Sequence, residues 1–265
     1  MKKFFAAIGF VMLSLAAATP AFSQEEEMTD DELLSGFDYE PVQAESHAND
    51  YRVLGIGYTG NMFFGDADDF NAQVSKTFGL DEIEMPIYMN GFGFVIALAP
   101  THNFSLGFNY SVGSKSVDKV LDGALDGYTR YLNYSQSFTN IELNYAYVPF
   151  KSFAILAGVN LGLGHLGIKE YQNHDNVEYD EFFTQTDPNI NSRKIDGNFY
   201  TVEPKLTLQY KLGANVMVQA AAGYNFAFSP TWKLENEAEV KNVPDKLKPE
   251  GMKVMIGLSL GIFDF

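Results

Sequence analysis

The sequence predicts an all-β protein: a closed, antiparallel, eight-stranded transmembrane β-barrel with long extracellular loops. Three observations lead to this prediction. Large apolar residues alternate with small or polar ones in eight stretches after Tyr51. Short and long connections alternate between these stretches. The large face of the stretches carries no charged residue, which is typical of strands that face lipid.

The N-terminal residues 1–23 predict a secretory signal peptide. Lys2 and Lys3 precede the apolar stretch 4–18, and small residues at Ala21 and Ser23 favour cleavage after Ser23. The alternative is an N-terminal membrane helix, but spanning a bilayer takes about 20 apolar residues. The protein is therefore expected to be secreted across the inner membrane.

The next segment, residues 24–50, is strongly acidic. It contains ten Asp or Glu residues and no Lys or Arg. This composition predicts a flexible, solvated periplasmic segment. The alternative is a segment that docks on a partner or enters the barrel.

The overall composition excludes several classes of function. The formal net charge of −16 argues against nucleic acid as a partner, because phosphate binding needs a basic surface. The chain has no cysteine, so disulfides, thiolate metal sites and a cysteine nucleophile are excluded.

The barrel domain is predicted over residues 51–265. In FSLGFNYSV, residues 104–112, every second residue is large and apolar. Similar alternation predicts strands at roughly 52–62, 87–98, 104–112, 138–148, 153–167, 199–211, 216–228 and 252–262. The short connections are 99–103, 149–152 and 211–215, and the long ones are 63–86, 114–137, 168–198 and 229–251. This layout predicts periplasmic turns at one end and extracellular loops at the other.

The composition of the two strand faces predicts which one meets lipid. The small face consists mainly of Gly, Ser, Asn and Thr, which suits a narrow interior. A charge at the bilayer midplane would cost about 2–4 kcal/mol, and the large face has none. Aromatic residues near the strand ends predict two interfacial girdles, formed by Tyr51, Phe104, Tyr145, Tyr147, Phe153 and Tyr210 at the turn end and by Tyr58, Tyr88, Tyr110, Phe138, Tyr200, Tyr224, Phe226 and Phe228 at the loop end.

These patterns, together with the C-terminal GLSLGIFDF, resemble the small eight-stranded outer-membrane barrels of the OmpA/OmpX type over residues 51–265. The resemblance implies a porin-like barrel in the cell outer membrane, in contact with outer-membrane lipids and lipopolysaccharide. It also implies that the assembly machinery recognises the C-terminal strand through Phe263 and Phe265. These two residues are out of phase with the large set from Val254 to Ile262, so a bulge near Phe263 is expected.

Three local features are also predicted. Pro204 interrupts a strand and predicts a bulge at 203–205. Apolar residues spaced three or four apart predict short helices within 67–78 and 116–125, which would cap the outer mouth.

The interior face contains three clear charges, Glu142, Glu203 and Lys205. We predict that they form a structural ion-pair cluster, because buried charges need partners and an eight-stranded barrel is just wide enough for side chains to fill it. The alternative is a selectivity or gating element in a thin pore.

Some barrels of this size are enzymes that modify lipid A, and such an enzyme would need a base or nucleophile near the outer rim. His165 and Ser111 are the candidates on the strands, followed by His174, Asp175 and Glu178 in the next loop. No spacing fixes their mutual geometry, so no catalytic residue is predicted. No cofactor or metal motif is present in the sequence.

The sequence therefore predicts a non-enzymatic outer-membrane surface protein. It would act in a structural or binding role through its extracellular loops, with a largely plugged interior and an extracellular or periplasmic protein as a candidate partner. A narrow channel for small solutes or ions is the alternative, and a lipid-modifying enzyme is the third interpretation.

Overall fold

The computed structural model describes residues 51–97, 103–122, 125–174 and 189–265. These residues form eight strands and one helix: β1 (Arg52–Gly65), α1 (Asp68–Phe78), β2 (Ile87–Ala97), β3 (Phe104–Val120), β4 (Tyr128–Phe150), β5 (Phe153–His174), β6 (Asn191–Lys211), β7 (Val216–Leu234) and β8 (Gly251–Asp264). Each strand pairs antiparallel with the next, and β8 pairs with β1. The predicted eight-stranded closed barrel is confirmed. The predicted signal peptide and acidic segment lie outside the described residues.

The pairing register determines how strongly the strands tilt. Directly paired residues form a path from strand to strand once around the barrel. The path starts on β6 at Tyr210 and returns to β6 at Tyr200, ten residues away. The path passes through Val218, Leu258, Tyr58, Phe92, Tyr110, Thr139 and Leu163. A stagger of this size in an eight-stranded barrel corresponds to a strand tilt of about 40°.

The outward-facing residues along and around this path form the lipid-facing belt. We define the belt on β6 as the outward positions from Tyr210 to Tyr200, together with the equivalent positions on the other strands. With a rise of about 3.3 Å per residue and a tilt of about 40°, these ten residues cover about 25 Å along the barrel axis. This matches the apolar band of outer-membrane barrels. Among the described residues, the belt contains no charged side chain.

The large face points outward, as predicted. Ile56, Leu260 and Leu206 are more than half exposed, and so are many of their neighbours in the belt. Two girdle assignments are wrong, because Tyr51 and Phe138 point into the barrel and are almost fully buried. Each lies on the inward-facing side of the alternation, which its aromatic character obscured.

The barrel interior has three layers. At the turn end, a small apolar core contains Tyr51, Val53, Ala97, Ala146, Val148, Ala154, Leu156, Met217, Phe263 and Phe265. A polar layer follows. At the outer end, a larger apolar core contains Phe63, Val74, Leu80, Ile83, Ile87, Met89, Leu132, Tyr134, Phe138, Leu166, Ile168, Phe199, Ala227 and Trp232.

The prediction of long loops at the outer end is wrong for much of their length. Most of 114–137 is strand, and so are residues 168–174 and 191–198 of the connection 168–198, since β3, β4, β5 and β6 continue well past the belt. Beyond the belt many outward residues are polar, such as Ser135 and Asn133, so the alternation of large apolar with small residues ends although the pairing continues. The short connections 149–152 and 211–215 are confirmed. The connection 99–103 falls mostly outside the described residues.

Of the two predicted helices, one is confirmed. α1 begins with Asp68 and Asp69 in its first turn and ends at Gly79, which adopts a left-handed conformation (φ 64°) and donates its backbone N–H to Ser75 O at 2.9 Å. The helix predicted over 116–125 is wrong, because residues 116–120 pair with β4 as strand.

Both predicted bulges are also absent. The β6–β7 register is the same on both sides of Pro204, and the irregularity lies instead between Asn198 and Tyr200. The β1–β8 register is constant along its whole length, so Phe263 needs no bulge. Phe263 and Phe265 are in phase with the glycines of β8, whose positions face the interior. Both side chains therefore lie inside the barrel rather than in the belt.

The belt generates a first prediction. Ile256 points outward from β8 near half the height of the belt and is 62% exposed, so Ile256→Arg should lower the free energy of unfolding in lipid vesicles by about 2–4 kcal/mol. Urea titration of refolding would measure this change. Ser192→Arg, at an exposed outward position of β6 beyond the belt, is the matched control and should fold like the unchanged protein. Equal losses for the two variants would contradict the belt assignment.

Candidate functional site

The polar layer brings the three predicted interior charges into two ion pairs. Lys205 Nζ lies 2.9 Å from Glu142 Oε1, and Lys253 Nζ lies 2.8 Å from Glu203 Oε2. Asn160 Nδ2 also donates to Glu203 Oε2, at 3.1 Å. The side chains of Lys253 and Glu203 are only 4% and 5% exposed. Both charges of this pair are therefore removed from water and depend on each other.

Sequence reasoning missed Lys253. It precedes the run of large residues that marks β8 and was not assigned to either face. Its alternation with Met255, Gly257 and Ser259 places it on the interior face, which is the signal that could have identified it. Its ammonium group also lies 5.3 Å from the centre of the Phe138 ring, a distance at which a cation interacts with the ring face.

Several polar atoms around the ion pairs have no protein partner among the described residues. They include the side-chain oxygens of Asn109, Ser111, Asn144 and Asn160. Small cavities of about 10–30 Å³, lined by Glu142, Lys205 and other polar side chains, adjoin them. Polar cavities of this size hold individual waters rather than a solute.

At the turn end of the interior, Tyr51 packs with Phe263 and Phe265 in the small apolar core. The Tyr51 hydroxyl donates to Gln209 Oε1 at 2.6 Å, and its ring lies 5.3 Å from that of Phe265. Burial raises the pKa of the Tyr51 hydroxyl, although the hydrogen bond to Gln209 lowers it, so the group stays neutral. The backbone oxygen of Phe265 accepts the backbone N–H of Ser152 at 2.9 Å, which ties the residue that follows β8 to the turn between β4 and β5.

At the outer end, α1 and the segment that follows it, residues 67–86, pack against the inner side of the wall, and we call this segment the outer plug. Val74, Leu80 and Ile83 of the outer plug are buried in the outer apolar core. Asn71 joins the two parts of the plug, because its Nδ2 donates to Ile83 O at 3.1 Å and its Oδ1 accepts from Ile83 N at 2.9 Å.

The barrel wall holds the outer plug through its backbone carbonyls. Lys115 Nζ donates to Glu84 O at 2.7 Å, and Lys119 Nζ donates to Gly79 O at 2.9 Å. Arg130 Nη1 donates to Phe78 O at 3.3 Å. These three cations lie on β3 and β4, in the part of the wall beyond the belt, so the extended strands position the plug.

The structure separates the candidate catalytic residues of the strands. Ser111 is fully buried inside the barrel, whereas His165 lies on the outward face. His165 Nε2 lies 3.2 Å from Asp196 Oδ1, and its Nδ1 lies 3.1 Å from Asn198 Oδ1. A base and a nucleophile on opposite sides of the wall cannot exchange a proton. His174 packs its ring 4.0 Å from that of Tyr128.

The remaining loop candidates, Asp175 and Glu178, lie outside the described residues. Within the described part of the chain, no group of three or more His, Asp or Glu side chains is placed to hold a metal ion. The same part contains no helix that is long and apolar enough to cross a membrane.

No family model matches the sequence, and a search of curated proteins found no match. Among solved structures, a major outer membrane protein from Thermus thermophilus is 10% identical, with a TM-score of 0.45, over 79% of this chain and 99% of that one. Ail, the attachment invasion locus protein of Yersinia pestis, is 10% identical, with a TM-score of 0.38, over 80% and 98%. The outer membrane protein OprG from Pseudomonas aeruginosa is 12% identical, with a TM-score of 0.35, over 82% and 95%.

These similarities are too distant to support an argument about function. That this chain is an outer-membrane β-barrel follows from its own closed strand ladder and its uncharged, lipid-facing belt.

The buried ion pair generates a second prediction. Lys253→Met should lower the free energy of unfolding by about 3–5 kcal/mol, because it leaves the Glu203 carboxylate buried without its cation. The double variant Glu203→Gln/Lys253→Met removes both charges and should recover much of this loss. Urea titration of refolding in detergent micelles gives the free energy of unfolding of the unchanged protein, the single variant and the double variant.

The matched control is Lys233→Met, because the ion pair between Lys233 and Glu237 is exposed and should contribute little. If the single and double variants at the interior pair lost the same stability, the two buried charges would not depend on each other.

Proposed function

We propose that this outer-membrane barrel is closed to solutes and acts in a structural or binding role through its outer end, without enzymatic activity. The observation that supports this proposal is the double closure of the interior. Apolar cores fill both ends of the barrel, and the polar layer between them is occupied by paired charges. An eight-stranded barrel is narrow enough for side chains to fill its whole section.

The outer end offers the surface for such a role. β4, β5 and β6 have 23, 22 and 21 residues, roughly twice what a tilted strand needs to cross the membrane. The excess forms a hydrogen-bonded wall that projects from the membrane, and the outer plug packs against its inner side. A paired sheet keeps its shape better than free loops would, so a partner would meet a preformed surface.

We further propose that the barrel contacts lipopolysaccharide in the outer leaflet and an extracellular or periplasmic protein partner. The expectation that Phe263 and Phe265 serve as the assembly signal remains part of this proposal. Because both side chains are inside the finished barrel, the assembly machinery would contact them before β8 closes against β1.

The alternative, a narrow channel, is favoured by the polar layer, whose unpartnered amide oxygens could line a path for water or ions. It would require both apolar cores to open. The outer plug is tied to the wall by three cations, and Phe263 and Phe265 are part of the inner core, so opening would break packing at two ends at once.

Conductance gives a third prediction. Purified full-length protein in a planar bilayer should show no discrete conductance steps, because neither apolar core leaves an aqueous path. A variant with residues 67–85 replaced by a short Gly/Ser linker lacks the outer closure, and it should also stay silent because the inner core remains. Adding Leu156→Ser and Phe263→Ser to the linker variant should produce conduction.

Slower migration of boiled than of unheated protein in a gel would confirm that each variant is folded. If the unchanged protein gave reproducible conductance steps and the linker variant gave larger ones, the result would contradict the proposal and favour the channel.

A further inference from the structure

Beyond the belt, the outward face of the barrel wall changes abruptly in character. Leu163 on β5 and Tyr200 on β6 form the last apolar pair of the belt. The following outward pairs on these two strands are His165 with Asn198, Gly167 with Asp196, Lys169 with Lys194, and Tyr171 with Ser192. At about 3.3 Å per residue and a tilt of about 40°, these pairs extend from the belt edge to about 20 Å beyond it, outside the hydrocarbon core.

We propose that this face binds the phosphorylated sugar headgroup of an outer-leaflet glycolipid whose acyl chains lie on the belt. We call the binding surface the outer ledge and define it by Tyr131, Asn133, Lys169, Tyr171, Lys194 and Asp196. This inference names a ligand class for the surface described above and rests on the proposed function.

A pair of lysines supplies the site for the phosphate. Lys169 and Lys194 are directly opposite each other on neighbouring strands, and both point outward. Like charges in this arrangement repel and destabilise a sheet unless an anion lies between them. Lys194 Nζ contacts Asp196 Oδ2 at 2.8 Å, whereas Lys169 forms no ion pair with a described carboxylate. A phosphate group between the two ammonium groups would remove the repulsion with charge-assisted hydrogen bonds.

A pair of tyrosines beside the lysines supplies a flat surface for the sugar. The rings of Tyr131 and Tyr171 are stacked, with their centres 4.8 Å apart and their planes 11° from parallel. Lys169 Nζ lies 5.3 Å from the centre of the Tyr171 ring, so the phosphate and sugar sites adjoin. Aromatic rings with a hydroxyl group present both an apolar face and a polar edge, and a pyranose ring has the same two kinds of surface.

The neighbours of the tyrosines add hydrogen-bonding groups. Asn133 pairs directly with Lys169 across β4 and β5, and Ser192 pairs with Tyr171 across β5 and β6. Amide and hydroxyl groups at these positions suit the hydroxyl-rich edge of a saccharide. Neither an acyl chain nor a phosphate alone would use all of these groups.

The position of the ledge indicates that the ligand is attached to lipid. The outward strand face runs without interruption from the exposed Leu161 and Leu163 to Lys169. A molecule on the ledge is therefore in line with acyl chains on the belt. Lys169, which has no carboxylate partner among the described residues, also stands out in a chain with a formal net charge of −16, which would otherwise repel anionic lipids.

Titration of the full-length protein in detergent, followed by native mass spectrometry, tests the proposal. The probes are bisphosphorylated lipid A, the same lipid A after enzymatic dephosphorylation, and phosphatidylglycerol. The unchanged protein should bind bisphosphorylated lipid A about tenfold more tightly than either other probe, since charged hydrogen bonds at the lysine pair are lost with dephosphorylation.

Variants separate the two parts of the site. Lys169→Ala/Lys194→Ala should abolish the preference for phosphorylated over dephosphorylated lipid A. Tyr171→Leu should weaken the binding of both lipid A forms and leave phosphatidylglycerol unaffected. Lys76→Ala/Lys241→Ala removes the same charge from exposed positions away from the ledge and should leave all three affinities unchanged.

Equal binding of the three lipids to the unchanged protein, or an unaltered preference in the double lysine variant, would overturn the proposal. Gel migration of unheated and boiled samples checks that each variant is folded. Conductance recorded from the same preparations keeps the two proposals apart: a silent barrel without lipid preference contradicts only the ledge, whereas a conducting barrel contradicts only the closed interior.

Discussion

The absence of water in the hydrocarbon core is the constraint on which the rest of this structure depends. A backbone amide or carbonyl that meets lipid without a partner costs several kcal/mol, so every spanning strand must be paired on both sides. The antiparallel ladder satisfies this requirement by closing β8 onto β1. A sheet closes into a barrel only if its strands tilt, and the stagger of ten residues is the register shift that corresponds to this tilt.

Closure with only eight strands then determines what the interior can contain. Small side chains are required where strands approach each other closely: an added Cβ would lie 2.2 Å from Ser259 Oγ at Gly57 and 2.1 Å from Thr139 O at Gly162. The remaining space is divided between apolar cores at the two ends and ion pairs in the middle. This division of the interior is the observation from which we propose a closed barrel that acts through its outer wall.

The sequence predicts the strand number, the lipid-facing side and α1, because lipid imposes a period of two on large residues and α1 keeps its helical spacing. It does not predict how far the strands extend. Above the membrane, Asn133 and Lys169 pair as regularly as residues in the belt do. No lipid requires large apolar residues on the outward face there, so the sequence shows no alternation. Of the interior charges, Lys253 escaped detection because it precedes the apolar run of β8. The inward direction of Phe263 follows from its phase, which outweighs its aromatic character.

The orientation of the strand faces can be measured directly, because the chain has a single tryptophan. Trp232 is 5% exposed and points inward, whereas Leu206 is 51% exposed and lies in the belt. In vesicles of brominated phospholipid, which quench tryptophan on contact, the unchanged protein should keep most of its emission. The variant Leu206→Trp/Trp232→Phe should lose most of its emission. A variant that kept its emission would show that Leu206 does not face lipid and would contradict this account.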